Sequence, residues 1–222
     1  MSTLNPSPRK TRRWERRKKA RPQELLIAAL ESFVEHGFVA TSMEDVAKRA
    51  GVAKGTLYLY FPSKDDLFKA VIREKMLPIL GGIETVIDNF EGDSVSLFRE
   101  IVLGWWEQSG NFSSSGISRL MLTEACNFPE LAKFYHDEVV LRCNEIIGRV
   151  LRRGVERDEF RKLDTPHLTE VIVAPMIMLM ILGHSFGADR IKSISPTAYL
   201  DHFIDLCMHG LLRSKGEYMA NS

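Results

Sequence analysis

The stretch SMEDVAKRAGVAKGTLYLYFPSK, residues 42–64, decides the fold. Met43, Val46, Ala47 and Ala50 recur at i, i+3, i+4, i+7, one apolar stripe of a short helix. Ser42 stands where an N-cap is needed, with Asp45 three residues on as the acid of a capping box. Gly51 supplies a position that tolerates positive φ, where a helix stops and turns. Val52 returns to the core. A second helix follows, with Leu57 and Phe61 on its inner side at i, i+4. Pro62 ends it, because proline has no N–H and disfavours helix in the residue before it.

The second helix carries its chemistry on the outside. Lys54, Thr56, Tyr58 and Tyr60 lie off the Leu57/Phe61 stripe, and Gly55 leaves a gap near the helix start. A cation, a hydroxyl and two phenols suit a phosphate-lined groove. Lysine and tyrosine contact phosphates, while lysine and threonine also reach base edges. The pattern is that of a helix-turn-helix whose second helix reads DNA. A plain αα-hairpin in a helical bundle fits the same stripe.

Thr41-Ser42, Val46-Ala47, Ala50-Gly51-Val52, Gly55-Thr56-Leu57-Tyr58, Tyr60-Phe61, Lys64 and Leu67 together resemble the DNA-binding signature of the TetR family of bacterial regulators. The resemblance runs from about Leu25 to Phe68, with Phe33 and Gly37-Phe38 upstream, and covers about the first third of the chain. Many members have His where this chain has Tyr60. The resemblance implies DNA contacts by Ser42, Lys54, Gly55, Thr56, Tyr58, Tyr60 and Lys64. It also implies a homodimer through the last two helices, bound to a palindromic operator in double-stranded DNA. A small-molecule effector is expected between the reader and the dimer helices.

Charge is distributed to match. The net charge is +1, but residues 1–20 hold eight cations against Glu15 alone, residues 21–75 are neutral, and the rest is acidic. Positive charge thus gathers at the end that meets DNA. Residues 1–20 read as a disordered basic arm, with Arg9, Arg12 and Arg13 as groove contacts if the arm is used; a solvated tail is the alternative. No apolar stretch follows the basic start, so it does not read as a secretory signal. Cys126, Cys143 and Cys207 show no Cys-x-x-Cys spacing and read as reduced thiols of a cytoplasmic protein. No metal set, cofactor motif or membrane span is expected.

Beyond the reader the chain reads as helix throughout. The expected organisation is all-α: the basic arm at 1–20, a three-helix DNA-binding domain at 21–66, and a larger helical effector-binding and dimerisation domain at 67–222. Residues 21–36 form the first helix, stopped by Gly37. A long helix from Lys64 towards Asn89 is expected to kink at Pro78 and Gly81-Gly82. Phe98, Ile101, Val102 and Trp105 share a stripe, residues 109–116 read as a loop, and a long helix opens at Pro129. The apolar run Val171–Gly183 is too short for a membrane span and reads as a helix buried on both sides, one of them against a partner chain.

Trp106, Met121, Phe128, Phe134, Tyr135 and Met178 are the effector-pocket candidates; Trp105 is assigned to core because it shares the Phe98 stripe. Their size and adaptability suit a mostly hydrophobic ligand, although such residues are commonly plain core. Gly183-His184-Ser185-Phe186-Gly187 fits the nucleophile elbow of a serine hydrolase. That reading lacks alternating strands, and the only downstream partners, Asp201 or Asp205 with His209, fall within one helix. A constitutive architectural DNA binder is the other alternative, disfavoured by the roughly 150 residues beyond the reader, enough for a whole domain.

Overall fold

The computed structural model describes residues 21–109, 112–185 and 195–212. The basic arm, with Arg9, Arg12 and Arg13, lies outside the described residues. Eleven α-helices and one π-helical turn account for nearly all of what is described, and the β-type pairing there is a single isolated bridge, Phe160 to Leu212. The chain divides into two compact units, one ending at Val71 and the other starting at Ile72.

The first unit is built from α1 (Arg21–Ala40), α2 (Met43–Arg49), α3 (Lys54–Tyr60) and the first part of α4 (Lys64–Lys75). Leu25, Ala29, Leu30, Phe33 and Val34 of α1 are buried, as their spacing requires. Gly37 breaks that helix at φ 84° and ψ 167°, a conformation essentially reserved for glycine. The break folds Phe38 back so that Phe33, Phe38 and Phe68 form a three-ring cluster with centroids 5.2–5.6 Å apart. All three rings are almost fully buried, and edge and offset ring contacts add to their burial energy. Thr41 locks the reversal, its single hydroxyl proton within reach of the carbonyls of Gly37 (2.7 Å) and Ser32 (3.0 Å). The Lys64 ammonium then closes it from α4, donating to the carbonyls of Phe38 (2.8 Å), Thr41 (3.0 Å) and Val39 (3.3 Å).

The second unit runs from the end of α4 through α5 (Leu77–Asn89), α6 (Ser94–Ser109), α7 (Phe112–Glu124), α8 (Pro129–Tyr135), a π-helical turn (His136–Val140), α9 (Leu141–Glu156), α10 (Thr165–Ser185) and α11 (Pro196–Leu211). The helix expected from Lys64 to Asn89 is two helices, parted at Met76. Pro78 sits in the first turn of α5, where its missing N–H leaves no bond unmade, so it starts a helix instead of kinking one. The 109–116 loop also comes out differently. Helix begins at Phe112, just before the serine run, because packing of the following turns overrides the weak local preference of serine.

Helix α9 packs on α5, α6 and α10, and α11 packs on α6 and α10. Ile146, Ile147, Val150 and Leu151 of α9 and Leu97, Phe98, Ile101 and Val102 of α6 are buried in the core that these helices share. Polar contacts stitch α9 and the π turn to the end of α4 and to α5. Arg142 donates two bonds of 2.5 Å to Glu84, Arg149 pairs with Asp88, Arg153 donates to the Gly92 carbonyl (2.8 Å), and Arg73 binds Glu138. Hydrogen bonds from their arginines hold the carboxyls of Glu84 and Glu138 below the usual glutamate range.

Phe160 closes the far end of this unit. Its ring lies on Gly154 so closely that a Cβ there would stand 2.1 Å from the ring. A backbone bond from the Arg161 N–H to the Leu211 carbonyl (2.9 Å) and a side-chain bond from Arg161 to the Gly210 carbonyl (2.6 Å) tie the same segment to the end of α11. Gly154→Ala should therefore destabilise the protein by about 1–3 kcal/mol, although alanine is the better helix former. Urea unfolding followed by circular dichroism checks this; an unchanged midpoint would mean that the ring can move away freely.

Candidate DNA-reading face and ligand cavity

Helix α2 is capped as its sequence demands. The Ser42 hydroxyl accepts from the Asp45 N–H (3.2 Å), while the Asp45 carboxylate accepts from the Ser42 N–H (3.1 Å) and hydroxyl (2.5 Å). Those bonds, the hydroxyl's first, lower the Asp45 pKa. Gly51 carries φ +66° at the turn, and Val52 donates back to the Ala47 carbonyl (2.9 Å). The chain then enters α3 from Ala53.

Helix α3 is seven residues long and buries a single side chain, Leu57. Phe61, expected inside with it, is the half-buried C-cap. Lys54, Gly55, Leu59, Tyr58 and Tyr60 are exposed and Thr56 is half-buried. Lys54 makes one long contact, 3.4 Å, to Glu44 on α2. An exposed pair of that kind contributes little, so the ammonium is available to a stronger anion. A Cβ on Gly55 would meet no atom within 4 Å. Within the protein, then, nothing requires glycine at that position.

Two of the seven expected DNA contacts stand differently. The Lys64 ammonium donates to three main-chain carbonyls and lies 4.5 Å from the centre of the Phe38 ring. An ammonium has three N–H donors, and here Lys64 directs them at the turn ahead of α2. The Ser42 hydroxyl donates to the Asp45 carboxylate. Sequence reasoning also passed over Leu59, which is 85% exposed on α3. Its spacing from Thr56 and Gly55, i−3 and i−4, was the available signal.

The second unit holds a narrow cavity of about 50 Å³, lined by Leu80, Ile83, Ile101, Trp105, Cys143, Ile146, Ile147, Val173, Met176 and Ile177. Helices α5, α6, α9 and α10 all contribute to it. Burial pushes the Cys143 thiol up to about 11, so it behaves as an apolar group there. None of the six expected pocket residues lines this cavity. Trp105 does, one turn on from Ile101, because the cavity is a gap in the core stripe itself and not a separate surface. Trp106 is half-buried beside it, the two indole rings 6.2 Å apart.

The other five candidates lie elsewhere. Met121 is buried in α7 and Met178 is 51% exposed on α10. Phe128 precedes α8 as its N-cap. Phe134 stacks under the Arg73 guanidinium, 4.8 Å from the ring centre. The Tyr135 hydroxyl shares a 2.9 Å hydrogen bond with Ser118, and burial raises its pKa well above the usual phenol value. Of the elbow motif, Gly183–Ser185 lie in α10. The apolar run before the serine is therefore helix, not the strand an elbow needs. No cluster of three metal-ligating side chains occurs among the described residues, and no helix among them is long and apolar enough to cross a membrane.

Residues 25–71, the segment that carries α2 and α3, match the sequence model of the bacterial regulatory proteins, tetR family. The fatty acid metabolism regulator protein of Bacillus subtilis is 38% identical over 147 residues, which span 66% of this chain and 74% of that protein. Two solved structures share the fold. FadR from Bacillus subtilis in complex with stearoyl-CoA superposes with TM-score 0.68 at 20% identity, over 86% of this chain and 99% of that one. A putative transcriptional regulator from Saccharomonospora viridis in complex with choline reaches TM-score 0.73 at 19% identity, over 89% and 100%. The helix-turn-helix, the family match and the extent of the relationship to the Bacillus regulator lead to one conclusion: the chain belongs to the tetR family of bacterial regulatory proteins and is a DNA-binding transcriptional regulator.

Proposed function

We propose that the protein is a cytoplasmic, homodimeric repressor released from a palindromic operator by a long-chain acyl-CoA thioester. The observation that carries the DNA half is α3, which buries Leu57 alone, half-buries Thr56 and exposes its other side chains. In this reading Lys54 and Thr56 face base edges, Tyr58 and Tyr60 hold phosphates, and Gly55 lets the helix backbone approach the groove floor. Two such helices on a dimer match two half-sites one helical turn apart. The dimer face is assigned to α10 and α11, where Val171 (65% exposed), Met178 and Leu206 (73% exposed) stand outside the core. Exposed aliphatics on two long neighbouring helices suit a four-helix interface with a second copy.

The effector half rests on the almost wholly apolar lining of the cavity and on the Bacillus relative, named for fatty acid metabolism. The FadR structure that shares the fold holds stearoyl-CoA. The cavity has room for only a small part of a long acyl chain, so ligand entry must part α5 from α9 and α10. Leu80 and Met176 can shift to admit it, whereas Ile83, Ile101, Ile146, Ile147 and Val173 are stiff at χ1. That displacement reaches α4 through Arg73, gripped between the Phe134 ring and the Glu138 carboxylate. Release follows only if the acyl-CoA binds more tightly to the parted arrangement than to the DNA-bound one.

Three measurements test this reading. An operator is first selected from genomic fragments at stated salt, and its affinity is read by fluorescence anisotropy. Palmitoyl-CoA should weaken operator binding by about 10- to 100-fold, the usual range of coupling between two sites, while free CoA and choline leave it unchanged. No response to any of the three would favour a constitutive binder. Glu138→Gln should keep palmitoyl-CoA binding yet blunt its effect on the operator; an undiminished response would exclude the Arg73 grip from transmission. Gly55→Ala should leave thermal stability intact or slightly raised and weaken the operator complex by on the order of tenfold, the cost of one lost base contact. Unchanged affinity would show that the backbone does not approach the groove floor there.

A further inference from the structure

Leu59 has no structural reason to be large and apolar. It is 85% exposed, more than any other large hydrophobic side chain among the described residues. Its neighbours on the helix face are Gly55 at i−4 and Thr56 at i−3, with Tyr58 and Tyr60 on either side in sequence. The space over Gly55 is open. The face of α3 therefore carries a gap, then a hydroxyl, then an aliphatic knob one turn further along.

An isobutyl group neither donates nor accepts a hydrogen bond. It cannot bind a phosphate or pair with a polar base edge. The major groove offers it one apolar feature, the 5-methyl group of thymine. A protein surface would be the rival occupant, but the cation of Lys54 and the two flanking phenols favour a phosphate-lined groove over an apolar patch. Resting on the helix-in-groove reading above, we propose that Leu59 is a specificity-determining residue that reads a thymine 5-methyl group at one position of each operator half-site. Leu59 sits one turn beyond Gly55, so this base lies next to the one that the helix start approaches.

The test uses the full-length protein and the operator duplex it selects. Each thymine is replaced in turn by deoxyuridine, which removes the methyl group and nothing else. At one thymine per half-site, wild-type binding should weaken about fourfold, the value of one buried methyl. Leu59→Ala, which folds because the side chain is nearly free of contacts, should bind the thymine and deoxyuridine duplexes equally at that position. Leu59→Met keeps an apolar tip in reach and should preserve the discrimination. The proposal is overturned if the wild type is indifferent to every replacement, or if Leu59→Ala keeps the wild-type sensitivity. Failure to select any sequence from a random duplex pool would overturn the helix-in-groove reading and the proposal with it.

Discussion

The reading helix is too short to hold itself. Seven residues cannot maintain a helix in water, and α3 buries only Leu57 to anchor it. Everything around it in the first unit answers that deficit. The capping box starts α2, the positive φ of Gly51 aims the turn, and the Phe33–Phe38–Phe68 cluster gives the unit a rigid interior. The return is an outer face with almost no internal obligations. Lys54, Tyr58, Leu59 and Tyr60 remain available to a partner because the protein does not need them for its own packing.

The same economy explains Lys64. A lysine near a DNA-reading helix suggests a phosphate contact, and in this structure three carbonyls of the turn after Gly37 take up its donors. Exposed carbonyls at a broken helix end are a local negative site. The ammonium that satisfies them joins α4 to the turn before α2. At its other end α4 offers Arg73 to Glu138 and Phe134. One helix is thus tied down near both ends by its own cations, each within its own unit.

The second unit combines a tightly stitched frame with a poorly filled interior. Arginines of α9 and the end of α4 bind carboxylates and a carbonyl along one side, while the core stripe of α6 leaves a gap beside Trp105. Empty apolar space costs packing energy, and a ligand that fills it recovers that energy. The cavity takes Trp105 from the core stripe, while Trp106 stands half-buried beside it. A stripe of apolar spacing shows which side faces inward, not whether the interior is full.

What the residues decided by themselves was local. The stripe of α2, its Ser42/Asp45 cap, the turn at Gly51 and the stop at Pro62 depend on a few neighbouring side chains and on backbone sterics, so they are legible in one short stretch. The all-helical architecture was equally legible, since most segments repeat their apolar residues near every 3.6 positions and the run in α10 is apolar all round. The family match adds the function to that stretch. Tertiary structure decided what depends on distant partners: the three carbonyls that claim Lys64, the two helices where one was expected before and after Met76, the helix that begins at Phe112 within the loop expected at 109–116, and the cavity at Trp105. Each follows from groups brought together across tens of residues by packing, where hydrogen-bond saturation and leftover volume outweigh local preference.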